Sequence, residues 1–108
     1  MPHSPNRLLS QLPQASRRRL DSLGQIVELR LSEVVGTAGG PTDAVLFPSD
    51  GFISLLAEVD GGHAIEVSMI GREDMLGIQL ALGVSTEPLK ALVQGPGHAL
   101  RNLRMHAV

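Results

Sequence analysis

The chain of 108 residues has no cysteine, tryptophan or tyrosine, and its only aromatic residues are Phe47 and Phe52. Without cysteine there can be no disulfide framework, thiolate zinc site, iron–sulfur cluster or cysteine nucleophile. With so few aromatic rings, the chain lacks the stacking surfaces that bind single-stranded nucleic acid. The formal net charge is −2 and the pI is about 6.0, so there is no general positive field to attract nucleic acid.

Long apolar runs are also absent. No segment reaches the roughly 20 apolar residues of a membrane-spanning helix, and the polar start of the chain lacks the apolar core of a signal peptide. A chain of this length is expected to form one domain with its own core. We therefore expect a soluble, cytoplasmic protein with no membrane partner.

Residues 1–24 predict an N-terminal segment of two short helices. Asn6 is suited to cap the first helix, which is rich in leucine, and Pro13 interrupts it. Ser16 is predicted to open the second helix, and Gly24 to close it.

Residues 25–104 alternate between apolar and polar side chains with the two-residue period of half-buried strands. Roughly seven short strands are separated by glycine- and proline-rich turns, and Pro48–Gly51 and Gly95–Gly97 are two of these predicted turns. Such a pattern is typical of a β-sandwich or a barrel-like roll. The first predicted strand places Val27, Leu29 and Leu31 on one face.

The clearest predicted hairpin runs from Phe52 to Ile70 and turns at Asp60–His63. Its regular alternation predicts one apolar and one polar face on each strand. The apolar face consists of Ile53, Leu55, Ala57 and Val59 on the first strand and of Ile65, Val67 and Met69 on the second.

A glycine-bounded acidic loop, Gly71–Gly77, lies between two apolar segments and contains Arg72, Glu73 and Asp74. Glycine permits a sharp chain reversal or a close approach to a ligand. Carboxylates at the start of a helix interact with its unpaired N–H groups. The loop is therefore a candidate ligand-binding element in which Glu73 and Asp74 are expected to begin the helix that follows.

No signature of an enzyme is present. Ser54, Ser68 and Ser85 have no nucleophile motif around them. Glu73 and Asp74 are adjacent in the chain, so their side chains diverge instead of flanking a substrate. We predict a non-enzymatic protein with no catalytic residues.

The histidines provide an alternative. His63, Glu66 and His98 faintly resemble the metal ligands of cupins, small β-barrels whose metal is held by histidines and a carboxylate. The His-x-His pair of cupins is missing, and residues 63 and 66 point to opposite faces of a regular strand. A cupin-type metal-dependent β-barrel stays as the alternative to a ligand-binding domain.

Several segments, taken in order, resemble the N-terminal sensor domain of Crp/Fnr-type transcription regulators over residues 6 to 104. They are Asn6–Leu9, Gly40–Asp43, Val45–Pro48, Gly51–Ser54, Gly71–Gly77 and Ala91–Gly97. The resemblance implies a mainly β domain with the double-stranded β-roll of cyclic nucleotide-binding domains, a jelly-roll-like fold with short N-terminal helices. It makes residues 25–104 the β-roll sensor domain and residues 105–108 the start of a connecting helix or tail.

In that family the loop after the long hairpin is a phosphate-binding cassette, in which a glutamate holds the ribose and an arginine holds the cyclic phosphate. The resemblance implies that Gly77 is the cassette glycine, that Ile78 occupies the glutamate position, and that Pro88 or Lys90 occupies the arginine position. The charge-assisted hydrogen bonds of those two side chains are then missing, and an acidic pair in the loop repels phosphate. The cassette is predicted not to bind cyclic nucleotide strongly, and no other cofactor is expected.

The resemblance also implies partners. A parent regulator would dimerise through a long helix and bind DNA through a helix-turn-helix domain beyond Val108. A small-molecule effector would bind the sensor domain. The chain is then either the sensor domain of a longer regulator or a single-domain product that acts by interaction.

Overall fold

The computed structural model describes residues 6–103, so the predicted tail 105–108 lies outside the described residues. Within this range, two short α-helices precede five strands and two 3₁₀ segments. The elements are α1 Arg7–Ser10, α2 Gln14–Leu23, β1 Gly24–Leu29, β2 Val34–Gly36, β3 Val45–Val59, the 3₁₀ turn Asp60–Gly62, β4 His63–Ile70, the 3₁₀ helix Ile78–Leu82 and β5 Lys90–Asn102.

The strands form one antiparallel sheet with the order β1-β5-β3-β4, and β2 also pairs with β5. β1 pairs with the C-terminal part of β5, whereas β2 pairs with its N-terminal part. β3 pairs with β5 on one side and with β4 on the other. The predicted fold class, mainly β with short N-terminal helices, is confirmed.

β3 and β5 each continue through a segment that the sequence predicts as a turn. Pro48–Gly51 and Gly95–Gly97 lie opposite each other in the sheet, across a series of register shifts. A Cβ atom on Gly97 would overlap the carbonyl group of Asp50, and one on Gly95 would overlap the ring of Phe52. These glycines allow two strands to approach closely instead of reversing the chain. The turn predictions are therefore wrong, and five strands replace the roughly seven predicted.

Two apolar clusters lie on opposite faces of β3. Leu46 belongs to one cluster and its neighbours Val45 and Phe47 to the other, as the alternation of side chains along a strand requires. The roll core consists of Leu29, Leu46, Ile53, Leu76, Ala91, Val93 and Ala99. The helix-side core consists of Leu9, Val45, Phe47, Met75, Leu80 and Leu100.

Asn6 fixes the first helix to the sheet. Its Oδ1 accepts a hydrogen bond of 3.0 Å from the N–H of Leu9, which confirms the predicted cap. Its Nδ2 donates hydrogen bonds of 2.8 Å to the carbonyl oxygens of Pro48 and Asp74. One buried side chain thus joins α1, β3 and the loop that precedes the 3₁₀ helix.

α2 begins at Gln14, two residues before the predicted Ser16, because Pro13 directly precedes it with a φ that suits a helix start. Gly24 follows its last residue, as predicted.

The 10 residues of α2 span only about 15 Å, whereas the apolar interior of a bilayer is roughly 30 Å thick. Among residues 6–103, no helix is long and apolar enough to cross a membrane.

Several apolar residues that the sequence predicts on strand faces are exposed. Leu31, predicted within the first strand, lies beyond the end of β1 and is 64 % exposed, because the chain turns at Ser32 with a φ of 70°. β4 is an edge strand whose Ile65, Val67 and Met69 are each more than half exposed. The alternation of β4 therefore predicts the strand correctly but says nothing about burial.

Candidate functional site

The outer half of the loop Gly71–Gly77 is bound to the N-terminal helix through its backbone. Residues 71–74 form a turn in which the N–H of Asp74 donates a hydrogen bond of 3.1 Å to the carbonyl oxygen of Gly71. The N–H of Arg7 donates to the carbonyl oxygen of Arg72 over 2.6 Å. Together with the bond from Asn6, these contacts hold the turn against α1.

The inner half of the loop, Met75–Gly77, is part of the core. Met75 and Leu76 are buried, and Leu76 exchanges two backbone hydrogen bonds of 3.0 and 2.9 Å with Leu46 of β3. Gly77 then has a φ of 96°, and a Cβ atom on it would lie 3.0 Å from the carbonyl oxygen of Ala44. Because only glycine fits this conformation without strain, Gly77 directs the chain into the 3₁₀ helix.

Glu73 and Asp74 do not lie at a helix start. The 3₁₀ helix Ile78–Leu82 begins only after Gly77, and both carboxylate residues belong to the exposed turn that precedes it. The prediction that they begin a helix is wrong, because Met75 and Leu76 first carry the backbone into the core. Their carboxylates therefore do not occupy the N–H groups of the 3₁₀ helix.

A narrow cleft of about 150 Å³ lies beside the start of the 3₁₀ helix, and we name it the cassette cleft. It is lined by residues 77–79 on one segment and by residues 87–89 on another, with Leu55 of β3 and Ile70 of β4. Small-molecule pockets usually measure about 300–1,000 Å³. The cassette cleft is thus small for a ligand of nucleotide size.

The cassette cleft brings together three of the predicted ligand-binding residues, Gly77, Ile78 and Pro88. Residues 71–74 do not line it. Lys90 lines a different cavity of about 480 Å³, together with Leu56 and Glu58 among others. Lys90 precedes the buried Ala91 in β5, so the side chains of the two residues lie on opposite faces of the strand. Of the two candidates for the arginine position, Pro88 lies in the cleft.

A polar network that sequence reasoning missed joins the cassette cleft to the turn before β3. The hydroxyl of Thr42 donates a short hydrogen bond to Oε2 of Glu87, and Nε2 of Gln79 donates to Oγ1 of Thr42 over 2.9 Å. Glu87 is only 6 % exposed. The N–H of Glu87 donates to the carbonyl oxygen of Gly40, and the carbonyl oxygen of Glu87 accepts from the N–H of Gly39, both over 2.8 Å. The only sequence signal was an acidic residue before a proline, which is ordinary in an exposed loop.

The electrostatics of the cassette cleft are unfavourable to an anion. Among the described residues, Glu87 is the only charged residue that lines it, and no arginine, lysine or histidine does. A phosphate in the cleft would lie near a buried carboxylate without a cation to offset the repulsion. The cleft suits a neutral or cationic group better.

The three residues of the cupin alternative are far apart in the sheet. His63 pairs with Val59 and His98 with Asp50, positions separated by nine residues of β3, or roughly 30 Å of strand. The side chain of Glu66 contacts Ser54 over 2.6 Å. Within residues 6–103, no group of three or more His, Cys, Asp or Glu side chains could hold a metal ion. Neither histidine lines the cavities described for this chain.

The sequence matches no protein-family model and no curated protein. The structure, however, is similar to solved structures. One is the regulatory subunit of a cAMP-independent protein kinase A from Trypanosoma brucei, in a mutant form bound to cAMP, with a TM-score of 0.79 and 16 % identity over 94 % of this chain. Another is the N-terminal domain of a transcriptional regulator from Streptomyces coelicolor, with a TM-score of 0.74 and 15 % identity over 90 % of this chain. A third is the catabolite activator protein of Thermus thermophilus, with a TM-score of 0.72 and 17 % identity over 91 % of this chain.

These similarities show that the chain has the cyclic nucleotide-binding-like fold, the β-roll with short helices that the resemblance implied. It is the fold of the N-terminal domain in the Streptomyces regulator. The chain spans 37 % of the Trypanosoma structure, 68 % of the Streptomyces structure and 46 % of the Thermus structure. At these sequence identities, fold is what the similarity establishes, since one fold hosts many functions.

Proposed function

We propose that the chain is a non-enzymatic sensor domain of a Crp/Fnr-type transcription regulator, with a cassette that keeps its backbone shape but does not bind cyclic nucleotide strongly. The parent protein would act in the cytoplasm as a homodimer and would bind DNA through a separate C-terminal domain. The sensor domain would respond to a small-molecule effector.

The observation that carries this proposal is the charge of the cassette cleft. Ile78 and Pro88 supply neither a carboxylate for a ribose hydroxyl nor a guanidinium for a cyclic phosphate. Glu87 places a buried carboxylate where a phosphate would need a cation. Loss of one charge-assisted hydrogen bond weakens binding by roughly 1.5–3 kcal/mol, so the absence of both interactions removes most of the affinity for a cyclic nucleotide.

The fold itself is compatible with a loss of cyclic nucleotide binding. The Trypanosoma subunit belongs to a kinase described as cAMP-independent, and its cAMP complex is that of a triple mutant. A β-roll of this shape can therefore serve regulation in a protein that does not depend on cAMP. Function depends on the side chains in the cleft, not on the fold.

Calorimetric titration of the chain with cyclic AMP and cyclic GMP tests the proposal. We expect no binding at micromolar concentrations for the wild type. The variant I78E/P88R/E87Q restores both missing groups and removes the buried carboxylate, and we expect it to bind at least one of the two nucleotides.

The matched control is L82E/T37R, which introduces the same two residue types at exposed positions outside the cassette cleft and should bind neither nucleotide. Micromolar binding by the wild type would overturn the proposal of a degenerate cassette. Equal binding by both variants would show that the effect does not depend on the cassette cleft.

A further inference from the structure

A further cavity of about 360 Å³ shares Leu76 and Glu87 with the cassette cleft but is otherwise lined by different residues. We name it the acidic cavity. Its apolar lining includes Val27, Leu29 and Val35. Its charged lining consists of Glu28, Glu33, Asp43, Glu87 and Arg101. Four of these five charged side chains are carboxylates.

Glu87 is the buried charge of this cavity. Its Oε2 accepts the hydrogen bond from Thr42, whereas its Oε1 has no hydrogen-bond partner among residues 6–103. The residue is only 6 % exposed, so water reaches this carboxylate poorly. A buried carboxylate with a single donor is unfavourable, and a ligand that brings N–H donors to Oε1 would relieve that cost.

The other charges leave the acidic cavity with an excess of negative charge. Glu28, Glu33 and Asp43 are exposed and form its rim. Of these, Glu28 is paired with the exposed Arg30 over 3.3 Å. Arg101 is half-buried, and within the described residues its guanidinium has no hydrogen bond or ion pair. The lining of the acidic cavity thus includes one cationic side chain and three carboxylates that have no ion-pair partner among the described residues.

The carboxylates are not arranged for a metal ion. Among residues 6–103, no three acidic or histidine side chains converge on one point, as a metal ion would require. The volume of the acidic cavity instead falls within the usual range for small organic ligands. Its apolar lining also suits a hydrocarbon chain.

We propose that the acidic cavity binds a small organic cation, an aliphatic amine whose ammonium group donates a hydrogen bond to Oε1 of Glu87. An ammonium group has three donors and no acceptor, which matches a site of acceptor oxygens. Leu29 and Val35 contact its methylene groups. This inference rests on the proposed function as an effector-binding domain, and it places the effector in the acidic cavity instead of the cassette cleft.

Three four-carbon probes of different charge test the inference by calorimetry and by thermal unfolding of the chain. They are 1,4-diaminobutane, which is dicationic, 1,4-butanediol, which is neutral, and succinate, which is dianionic. We expect saturable binding and a rise in melting temperature with 1,4-diaminobutane alone. The affinity should fall as salt is added, because the rim carboxylates are exposed to screening.

Glu87→Gln removes the charge but keeps the size and an acceptor oxygen for Thr42. We expect it to weaken binding of 1,4-diaminobutane at least about tenfold. The control Glu73→Gln makes the same change on the exposed turn and should leave the affinity unchanged. Arg101→Gln should strengthen binding several-fold, because it removes a cation from the cavity, and a poorly folded variant would not bind more tightly.

The inference is overturned if 1,4-diaminobutane fails to bind at millimolar concentrations, if the diol or succinate binds equally well, or if Glu87→Gln binds as tightly as the wild type. The cyclic nucleotide titration separates this result from the proposed function. If neither the diamine nor a cyclic nucleotide binds, only the present inference fails. If a cyclic nucleotide binds tightly to the wild type, the proposed degenerate cassette fails whatever the diamine does.

Discussion

The side-chain amide of Asn6 lies 2.8 Å from the carbonyl oxygen of Asp74, so a side chain at the start of α1 is bonded to the loop before the 3₁₀ helix. Asn6→Ala removes this bond, the bond to Pro48 and the helix cap. We expect the free energy of unfolding to fall by about 2–4 kcal/mol, because a cap and buried carbonyl groups both lose partners. Urea denaturation measures the change. Ser10→Ala, at an exposed position of α1, should alter it by less than about 0.5 kcal/mol, and equal losses would argue against the role of Asn6.

The close approach of β3 and β5 at Gly97 leads to a second prediction, which concerns the stability of a variant with a larger residue there. In Gly97→Ala the new methyl group would overlap the backbone of Asp50, so the two strands must separate. We expect destabilisation of about 3 kcal/mol, at the upper end of the usual range for overpacking. In Gly71→Ala the methyl group meets nothing within 4 Å, and the change should be within about 1 kcal/mol in either direction. Thermal unfolding of both variants decides whether the glycine of the strand or that of the loop is required.

The hydroxyl of Thr42 is the side-chain donor to the buried Glu87. Thr42→Val keeps the shape of the side chain but leaves this carboxylate without that donor, so we expect a loss of about 1–3 kcal/mol in stability. Thr42→Ser retains the hydroxyl and should lose less. Denaturant unfolding of the two variants gives the comparison, and a larger loss for the serine variant would mean that the methyl group matters more than the hydrogen bond.

The exposed apolar residues of the edge strand β4 predict self-association of the isolated chain. Edge strands with apolar side chains and free backbone groups pair with other chains, and lysine is a common protection against such pairing. Ile65→Lys should therefore reduce self-association, measured by sedimentation velocity, while changing stability by less than about 0.5 kcal/mol. Ile53→Lys, at a fully buried position of the adjacent strand, should unfold the domain. An unchanged sedimentation profile for Ile65→Lys would contradict the prediction.

The fold class follows from the sequence because apolar alternation and turn residues are local signals. On that basis the sequence correctly predicts Asn6 as a helix cap and Gly24 as a helix end. The turn predictions for Pro48–Gly51 and Gly95–Gly97 are wrong, since glycine and proline mark both turns and places where two strands lie very close. Only the partner strand distinguishes the two cases, and the partner is more than 40 residues away along the chain.

The arrangement of the candidate residues could be predicted in part, and their role in ligand binding stays a prediction. Gly77, Ile78 and Pro88 do meet in one cleft, which the resemblance indicated and periodicity alone did not. Lys90 does not line this cleft, because side chains alternate between the two faces of β5 and that of Lys90 lines a different cavity. Thr42 and Glu87 were missed because their contact joins two loops 45 residues apart, and neither residue carries a local pattern.

The position of β5 has a consequence for how the domain forms. β5 pairs with β1, β2 and β3, whereas β4 pairs with β3. During synthesis, which proceeds from the N-terminus, the β3–β4 hairpin is thus the only part of the described sheet that can assemble before the last strand appears. Sheets with such non-local pairing fold slowly. Most of the described sheet can therefore form only once β5 is available, because β1 and β2 have no other partner strand in it.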